Sequence, residues 1–597
     1  MNWEIYFGAA LLIIVLGIGK SVSLGKAGNK RRGILNSFHV LFGTVFASAA
    51  VLFLPIYNQI FADEPFQYVK VLLLSIHNTI RLFVVDGEFT IITDYITVEE
   101  GWIFTAYTLL ASILFVLAPV LTFGFVLFLF KNISAYQRYV CCYFRDVYIF
   151  SELSEKSLTL AESLRKHSKK RGIIFMDVFE RNDEESYEWI ERAGELGAIC
   201  FKKDIQAVDF KFHSKRKSMY FFAIGQDESE NIDQALKIIP EYRNREHTHL
   251  YVFSTRVDGE LLLTSLDKGL VKVRRVNDIR SLINRILYEE GEKIFQHALD
   301  GKNGIKEITA VIVGMGKHGA NMAKALTWFC QMDGYSVEIH MFDQDPLLEE
   351  TFSAQCPELL DKDYNGIYVP GEAQYRMVVH GGISVETRRF AEEIGKLDRA
   401  TYVFVALGSD EENIRTAVNL RMLFERNGAQ PAIQAVVYNS AEKKALKGIA
   451  NYQGQPYKVD FIGDLETSYS EEVIIDSQLE AEALLRHKKW GNEEEFWKYE
   501  YNYRSSVASA IHMRAREWCK IPGAGKPEEE LTPEELAVIE VLEHRRWNAY
   551  MRSEGYIYSG SPDKSSRNDL GKMHHDLVCF SHLTEEEKRK DSRVGTR

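Results

Sequence analysis

The chain has 597 residues, with 72 Lys+Arg against 84 Asp+Glu and a net charge of −12. That length implies several domains, and the acidic balance excludes a dedicated nucleic-acid binder, which carries a basic excess. The mean hydropathy of −0.19 reads as soluble. The average hides a division, because residues 1–130 hold 15 charged residues and the other 467 hold 141. A membrane block is joined to a soluble block.

The membrane block covers 1–132. Gly33–Ala62 and Gly101–Phe130 are uncharged runs of 30 residues each. At about 1.5 Å per residue either exceeds the roughly 30 Å hydrocarbon core. Ile5–Gly19 is shorter, but Trp3 and Tyr6 suit one interface and Lys20 can snorkel at the other. Glu4 is the only early charge, so the basic start of a signal peptide is missing. Three spans are predicted, near 3–23, 34–60 and 101–130. Lys20, Lys26, Lys30, Arg31 and Arg32 place the first loop inside, and the acidic stretch Asp63–Glu100 places the second outside. The N-terminus is then outside and the large C-terminal part cytoplasmic. Phe66–Val85 is apolar but broken by Lys70, His77 and Arg81, which share one helical face. It reads either as a helix on the membrane surface, contacting lipid, or as a re-entrant element lining a pore. The span–helix–span order resembles potassium-channel pores. No TVGYG-like filter is present, so a potassium-selective filter is not supported.

From Arg145 the pattern becomes strands alternating with helices. Ile308–Gly319 reads ITAVIVGMGKHG, a buried β-branched strand entering Gly314, Met315, Gly316, Lys317, His318 and Gly319, then a helix. The next strand ends at Asp343. This is a dinucleotide fingerprint in its proper context. The helix start offers N–H groups to a phosphate and Asp343 could accept from a ribose. An internal repeat supports the reading. YFFAIGQDESENI (220–232) and YVFVALGSDEENI (402–414) share A-x-G-x-D-E and, after one gap, E-N-I, with Gly408 and Asp410 in the second copy. Asp227 and Asp410 are expected to cap helices. In the first copy FSELSEKS replaces the glycine loop and Asp177 takes the place of Asp343. Its phosphate site is expected to be degenerate. His318 and His380 are lone histidines with structural roles expected.

The two α/β copies, 145–295 and 305–465, resemble the tandem Rossmann domains of RCK or TrkA-N type that regulate potassium transport. The resemblance implies paired, ligand-gated domains that bind a nucleotide such as NAD or an adenine nucleotide and move an attached membrane part.

Residues 466–522 read as a helical connector rich in aromatics, Trp490, Trp497, Tyr499, Tyr501 and Tyr503. Residues 523–533 form a linker. The last unit, 530–597, carries Glu543, His544, Trp547, Gly555, Tyr556, His575, Leu577, Phe580, Glu586, Glu587, Lys588 and Asp591. This pattern resembles the ryanodine-receptor repeat (RyR) domain, small and mainly α. The whole order, membrane helices then TrkA-N then RyR, resembles prokaryotic sensors or effectors in stress or phage defence. It implies an inner-membrane location and a small nucleotide-like ligand. His544, Arg546, Trp547, Tyr556 and His575 are the ligand candidates: arginine for phosphate, aromatics for stacking. His574, His575 and His582 lack the spacing of a zinc site, so no metal is expected. Seven cysteines, all after residue 130 and without a CxxC pair, fit a reduced compartment.

The functional expectation is a homodimer or homotetramer forming a ligand-gated ion channel or channel-like effector. The alternative is a non-conducting membrane-anchored sensor or scaffold. An NAD-dependent enzyme is disfavoured, since no substrate domain or acid–base pair is visible.

Overall fold

The computed structural model describes residues 3–26, 30–62, 64–84, 101–129, 131–178, 184–256, 258–301, 304–360, 374–447, 451–452, 455–456, 458–475 and 477–596, with single positions at 86, 91, 94 and 96. Of the residues used above, Asp63, Val85, Glu88, Glu99, Glu100 and Phe130 lie outside the described set. The chain divides into two compact units, Met1–Cys141 and Cys142–Arg597.

The first unit contains α1 (Trp3–Lys26), α2 (Lys30–Ile60), α3 (Gln67–Phe83), α4 (Trp102–Leu129) and α5 (Lys131–Val140). Three stretches are long and apolar enough to cross a membrane: Trp3–Ser21, Val40–Ile60 and Trp102–Gly124. Their packing uses small residues at close approach. Ser48 donates to the Ala10 carbonyl at 3.4 Å, and Gly17 meets Thr44 where a Cβ would not fit.

Helix α3 runs antiparallel along α2. At one end the Gln67 amide donates to Asn58 Oδ1 at 3.0 Å, and at the other the Phe83 ring lies 4.3 Å from that of Phe42. That is about 24 Å of helix at 1.5 Å per residue. Its polarity is inverted. Ser75, Asn78 and Thr79 are buried with Val71 and Leu82, and Asn78 donates to the Tyr57 hydroxyl. Tyr68, Val69, Leu72, Leu73 and Ile80 face outward. A helix resting on a membrane surface would show a charged outer face. Here Lys70 pairs with Glu64 at 2.6 Å and Arg81 with Asp86 at 3.1 Å, while His77 is exposed among apolar neighbours. On this continuous helix the three lie within about 40° of one another around the axis, on one side.

The second unit holds two parallel sheets. β1 (Val147–Phe150), β2 (Gly172–Phe175), β3 (Ile199–Cys200), β4 (Met219–Ala223), β5 (Thr248–Phe253) and β6 (Lys272–Val276) pair in the order β3-β2-β1-β4-β5-β6. Helices α6 (Glu155–His167), α7 (Glu184–Glu195), α8 (Glu228–Tyr242), α9 (Asp258–Thr264) and α10 (Asp278–Glu290) alternate with them, and α11 (Glu292–Gln296) follows. In the second copy the short β7 (Leu299–Asp300) pairs antiparallel with β8 (Lys306–Val313). With β9 (Tyr335–Phe342), β10 (Tyr375–His380), β11 (Tyr402–Val405), β12 (Ala432–Val436) and β15 (Val459–Ile462) it forms the order β10-β9-β8-β11-β12-β15. β13 (Asn451–Tyr452) and β14 (Gln455–Pro456) make a separate hairpin. Helices α12 (Lys317–Phe329), α13 (Leu348–Gln355), α14 (Arg388–Gly395), α15 (Asp410–Asn427) and α16 (Ser440–Lys447) complete the copy. Strands β1 and β11 are buried at every position, which explains their unbroken apolar sequence. Both orders reverse beside the first strand, the Rossmann-like switch point.

The connector holds α17 (Leu465–Ser468), α18 (Glu471–Ile474), α19 (Gln478–His487), α20 (Glu493–Lys498) and α21 (Glu500–Trp518). It leads to α22 (Pro533–Ser553), the two-stranded β16 (Ile557–Tyr558) and β17 (Met573–His574), and α23 (Glu585–Gly595). Thr532 and Glu535 form a capping box at the start of α22, with Pro533 in its first turn. One apolar cluster runs through Ile308, Leu326, Ile511, Leu542 and Tyr550, so α21 and α22 share a core with the second copy. A nitroxide on Leu73→Cys, in a Cys141→Ser background reconstituted in lipid, should be reached by dissolved oxygen and shielded from a water-soluble nickel chelate. Preferential access of the chelate would place the outer face of α3 in water.

Candidate functional site

The fingerprint loop has the geometry its glycines require. Gly314 has φ +87°, and a Cβ there would meet the Ala406 carbonyl oxygen. A Cβ on Gly319 would strike the Gly314 carbonyl. Gly316 starts α12 with no side-chain cap. Asp343 stands at the end of β9, but both its oxygens are engaged by backbone: Met315 N–H donates to Oδ2 at 2.6 Å and Asp345 N–H to Oδ1 at 2.9 Å. It closes the loop from within. Met315 is buried, whereas Gly316, Lys317 and Gly408 are exposed. Lys317 Nζ reaches Thr255 Oγ1 of the first copy at 2.9 Å, and His318 Nε2 lies 2.5 Å from the Tyr438 hydroxyl. Burial lowers the His318 pKa. His380 stacks on Phe342 at 4.1 Å and is held near a pKa of about 4 by burial and by His340.

The repeat is a brace. In the first copy Asn231 Oδ1 accepts from Gly225 N–H at 2.7 Å and its amide donates to the Phe253 carbonyl at 2.9 Å. In the second, Asn413 accepts from Leu407 N–H at 2.5 Å and donates to the Val436 carbonyl at 2.9 Å. Each ties one loop to the next strand. This registers the copies differently from the sequence motif. Asp227 caps its own helix, and its counterpart is Ser409. Asp410 does not cap its helix. It accepts from Tyr438 and Asn439 N–H at 3.0 and 2.8 Å, as Glu228 accepts from Thr255 N–H at 2.6 Å.

The first copy caps its first helix with its own side chains. Ser154 and Ser157 form a capping box on α6, and Glu152 accepts from Gln226 N–H at 3.1 Å. Its carboxyl-end crevice is a cavity of about 640 Å³ whose opposite wall includes Lys317, His318 and Tyr438 from the second copy. The fingerprint's cationic residues therefore face the other copy's crevice.

The C-terminal half of this unit holds a second cavity, about 440 Å³. His544, Arg546, Trp547 and His575 all line it. Tyr556 does not. It lines a separate cavity of about 650 Å³. The reason is the turn at Gly555, φ +85°, which carries the chain to the other side of α22. Trp547 is half-buried beside His574, with ring centres 4.9 Å apart, so it contributes to a cavity wall as well as to packing. The wall opposite comes from the connector: Arg486, Lys489, Trp490, Tyr501, Ser505 and Ser509.

The charge arrangement is unusual for an interior. Glu543 accepts from Arg546 at 2.7 Å and Arg516 at 2.5 Å, all three buried. Burial alone would raise the Glu543 carboxyl, but Arg546 and Arg516 hold it far below the usual range. On two of the lining residues one polar atom each, Arg546 Nη1 and His575 Nδ1, is buried without a hydrogen-bond partner among the described residues. His574, His575 and Asp576 bring three ligand-type atoms within 4.8 Å. His574 Nδ1 accepts the Asp576 N–H at 3.1 Å. Burial and the neighbouring Arg567, His575 and Lys590 hold its pKa near 3, a field that opposes a cation. Beside the third cavity, Arg504 joins Glu554 at 3.0 Å, Glu500 at 3.5 Å and Glu260 of the first copy. Arg280 also holds Glu554, at 2.6 Å. These arginines lower the Glu554 pKa to about 2 against the effect of burial.

Arg486, Lys489, Lys564, Arg567 and Lys590 were not selected by sequence reasoning. The run LLRHKKW (484–490) carried the one signal, a basic cluster ending on Trp490. No protein-family model matches the chain, and no significant match is found among curated proteins. Glu543→Gln should destabilise the full chain by about 3–5 kcal/mol, because it strands two buried arginines. Thermal and urea unfolding measure this, and a change below about 1 kcal/mol would remove Glu543 from its structural role.

Proposed function

We propose that this is a membrane-embedded ligand sensor. Its C-terminal cavity receives a small nucleotide-type ligand, and occupancy is transmitted to the apolar helical unit. The observation that carries the reading is the 440 Å³ cavity, where aromatic faces meet buried cations and where Arg546 Nη1 and His575 Nδ1 lack partners among the described residues. Buried polar groups are nearly always satisfied, so such donors and acceptors are poised for a ligand or ordered water. Arginine with indole and phenol faces suits phosphate plus base.

The resemblance of 530–597 to RyR domains and of 145–465 to RCK or TrkA-N pairs supports the same reading. In it the large unit is cytoplasmic, the N-terminus is outside, and self-assembly supplies any conducting path, since three spans enclose little alone. The chain then acts as a ligand-gated channel or channel-like effector. Gating requires the ligand to bind two states unequally. The pairing of Lys70 with Glu64 and of Arg81 with Asp86 favours a second reading, an anchored sensor that does not conduct. NAD or an adenine nucleotide in the second α/β copy belongs to the proposal as a further ligand. It is supported by the uncapped start of α12 and opposed by the engagement of Asp343.

Mass spectrometry of small molecules released from the purified full-length protein should show a phosphorylated nucleotide, and Trp547→Ala should reduce its recovery. Retention of an unrelated neutral metabolite would overturn the assignment. Ion flux in proteoliposomes with and without the identified nucleotide separates the channel from the anchored sensor.

A further inference from the structure

Resting on that reading of the C-terminal cavity, we infer that its ligand is a polyanion with at least two phosphate groups, seated on Arg486, Lys489 and Arg546. The connector would then supply half of the phosphate site, and residues 530–597 would be incomplete without it.

The argument is a charge count. Arg486, Arg516 and Arg546 are buried and Lys489 is half-buried beside them. Among the described residues, Glu543 is the carboxylate within hydrogen-bond reach of this group, one oxygen on Arg546 and the other on Arg516. Four cations against one carboxylate leave an excess of three. Asp591, which also lines the cavity, is hydrogen-bonded to His544 at 3.1 Å rather than to these cations, and burial pushes its carboxyl up.

The partners of Arg486 and Lys489 are neutral. Arg486 donates to Ser509 Oγ at 3.0 Å, to the Thr596 carbonyl at 3.1 Å and to the Val594 carbonyl. Lys489 donates to the Thr596 carbonyl at 2.6 Å and to its hydroxyl at 3.2 Å. The other wall differs. Arg567 has Asp569 at 3.0 Å and Lys590 has Glu587 at 2.6 Å. Positive charge is thus uncompensated on one side of the cavity, next to the unpartnered Arg546 Nη1.

Carbonyl dipoles orient a cation without neutralising it, and a buried unneutralised charge is costly. One phosphate group carries about −1.5 to −2 at neutral pH, so an excess of three calls for more than one. The electrostatics agree. Burial and Arg486 pull the Lys489 pKa down to about 8, despite Glu528, Glu529 and Glu543, and burial with Arg516 and Arg546 pulls Arg486 to about 10.

The test titrates the full-length protein in detergent with adenosine, AMP, ADP, ATP and inorganic pyrophosphate at fixed ionic strength. Affinity should rise by about tenfold or more from AMP to ADP. Lys489→Gln should remove most of that gain, and Lys489→Arg should keep it. Unfolding curves of both variants check that the fold is intact. Unbound Lys489 loses its proton above about pH 8 and an anion restores it, so ADP affinity should fall between pH 7 and 9.5. Adenosine binding as tightly as ADP would overturn the polyanion assignment and leave the nucleotide reading standing. Pyrophosphate binding as tightly as ADP would overturn the nucleotide reading and keep the polyanion. Absence of saturable binding by all five would overturn both.

Discussion

The large unit depends on one buried carboxylate. Glu543 lies on α22 with an arginine at each oxygen, Arg546 from its own helix and Arg516 from α21. Without it α21 and α22 could not approach so closely, because two desolvated guanidinium groups would face each other. With it the helices share a core with the second α/β copy. The same carboxylate is too little for its surroundings. It anchors two cations and leaves Arg486 and Lys489 to backbone carbonyls. Helix packing and local positive charge therefore have one source.

The two α/β copies solve the problem of an exposed helix start in opposite ways. The first spends its own side chains. Ser154 caps α6, and Glu152 accepts from the Gln226 N–H across the loop. The second keeps the glycines and leaves α12 uncapped, but closes its loop with Asp343. Lys317 and His318 at that helix start turn towards the first copy, so the two crevices do not act as independent sites.

Much of this was legible in the sequence. Apolar runs at spanning length, the strand into Gly314, and the doubled E-N-I element each encode local geometry, and local geometry leaves local patterns. Gly319 had to be glycine because a Cβ would strike the Gly314 carbonyl. Four of the five C-terminal ligand candidates share one cavity because they lie on α22 or the segment that folds back on it. What failed was long-range. Arg486 and Lys489 lie over 50 residues before Glu543, and no spacing rule joins them. The copies were registered on Asp227 and Asp410, whereas the Asn231 and Asn413 braces pair Glu228 with Asp410. Lys70, His77 and Arg81 share one side of α3, as their spacing predicts. Helical spacing gives direction around an axis, but it does not tell which side meets neighbours, and here the side of Ser75, Asn78 and Thr79 did.

Arg504 carries a mechanical consequence. Its guanidinium is a rigid plane with five N–H donors, and it grips carboxylates from three segments, Glu260, Glu500 and Glu554. Such a group behaves as a rivet through three plates. Through Glu554 and Glu260 this one guanidinium ties the end of α22 to α9 of the first copy. Tyr501, one turn before Arg504, lines both the 440 Å³ cavity and the larger one beside this rivet. Helix α21 therefore runs from the wall of the 440 Å³ cavity to the point where a single guanidinium joins three segments.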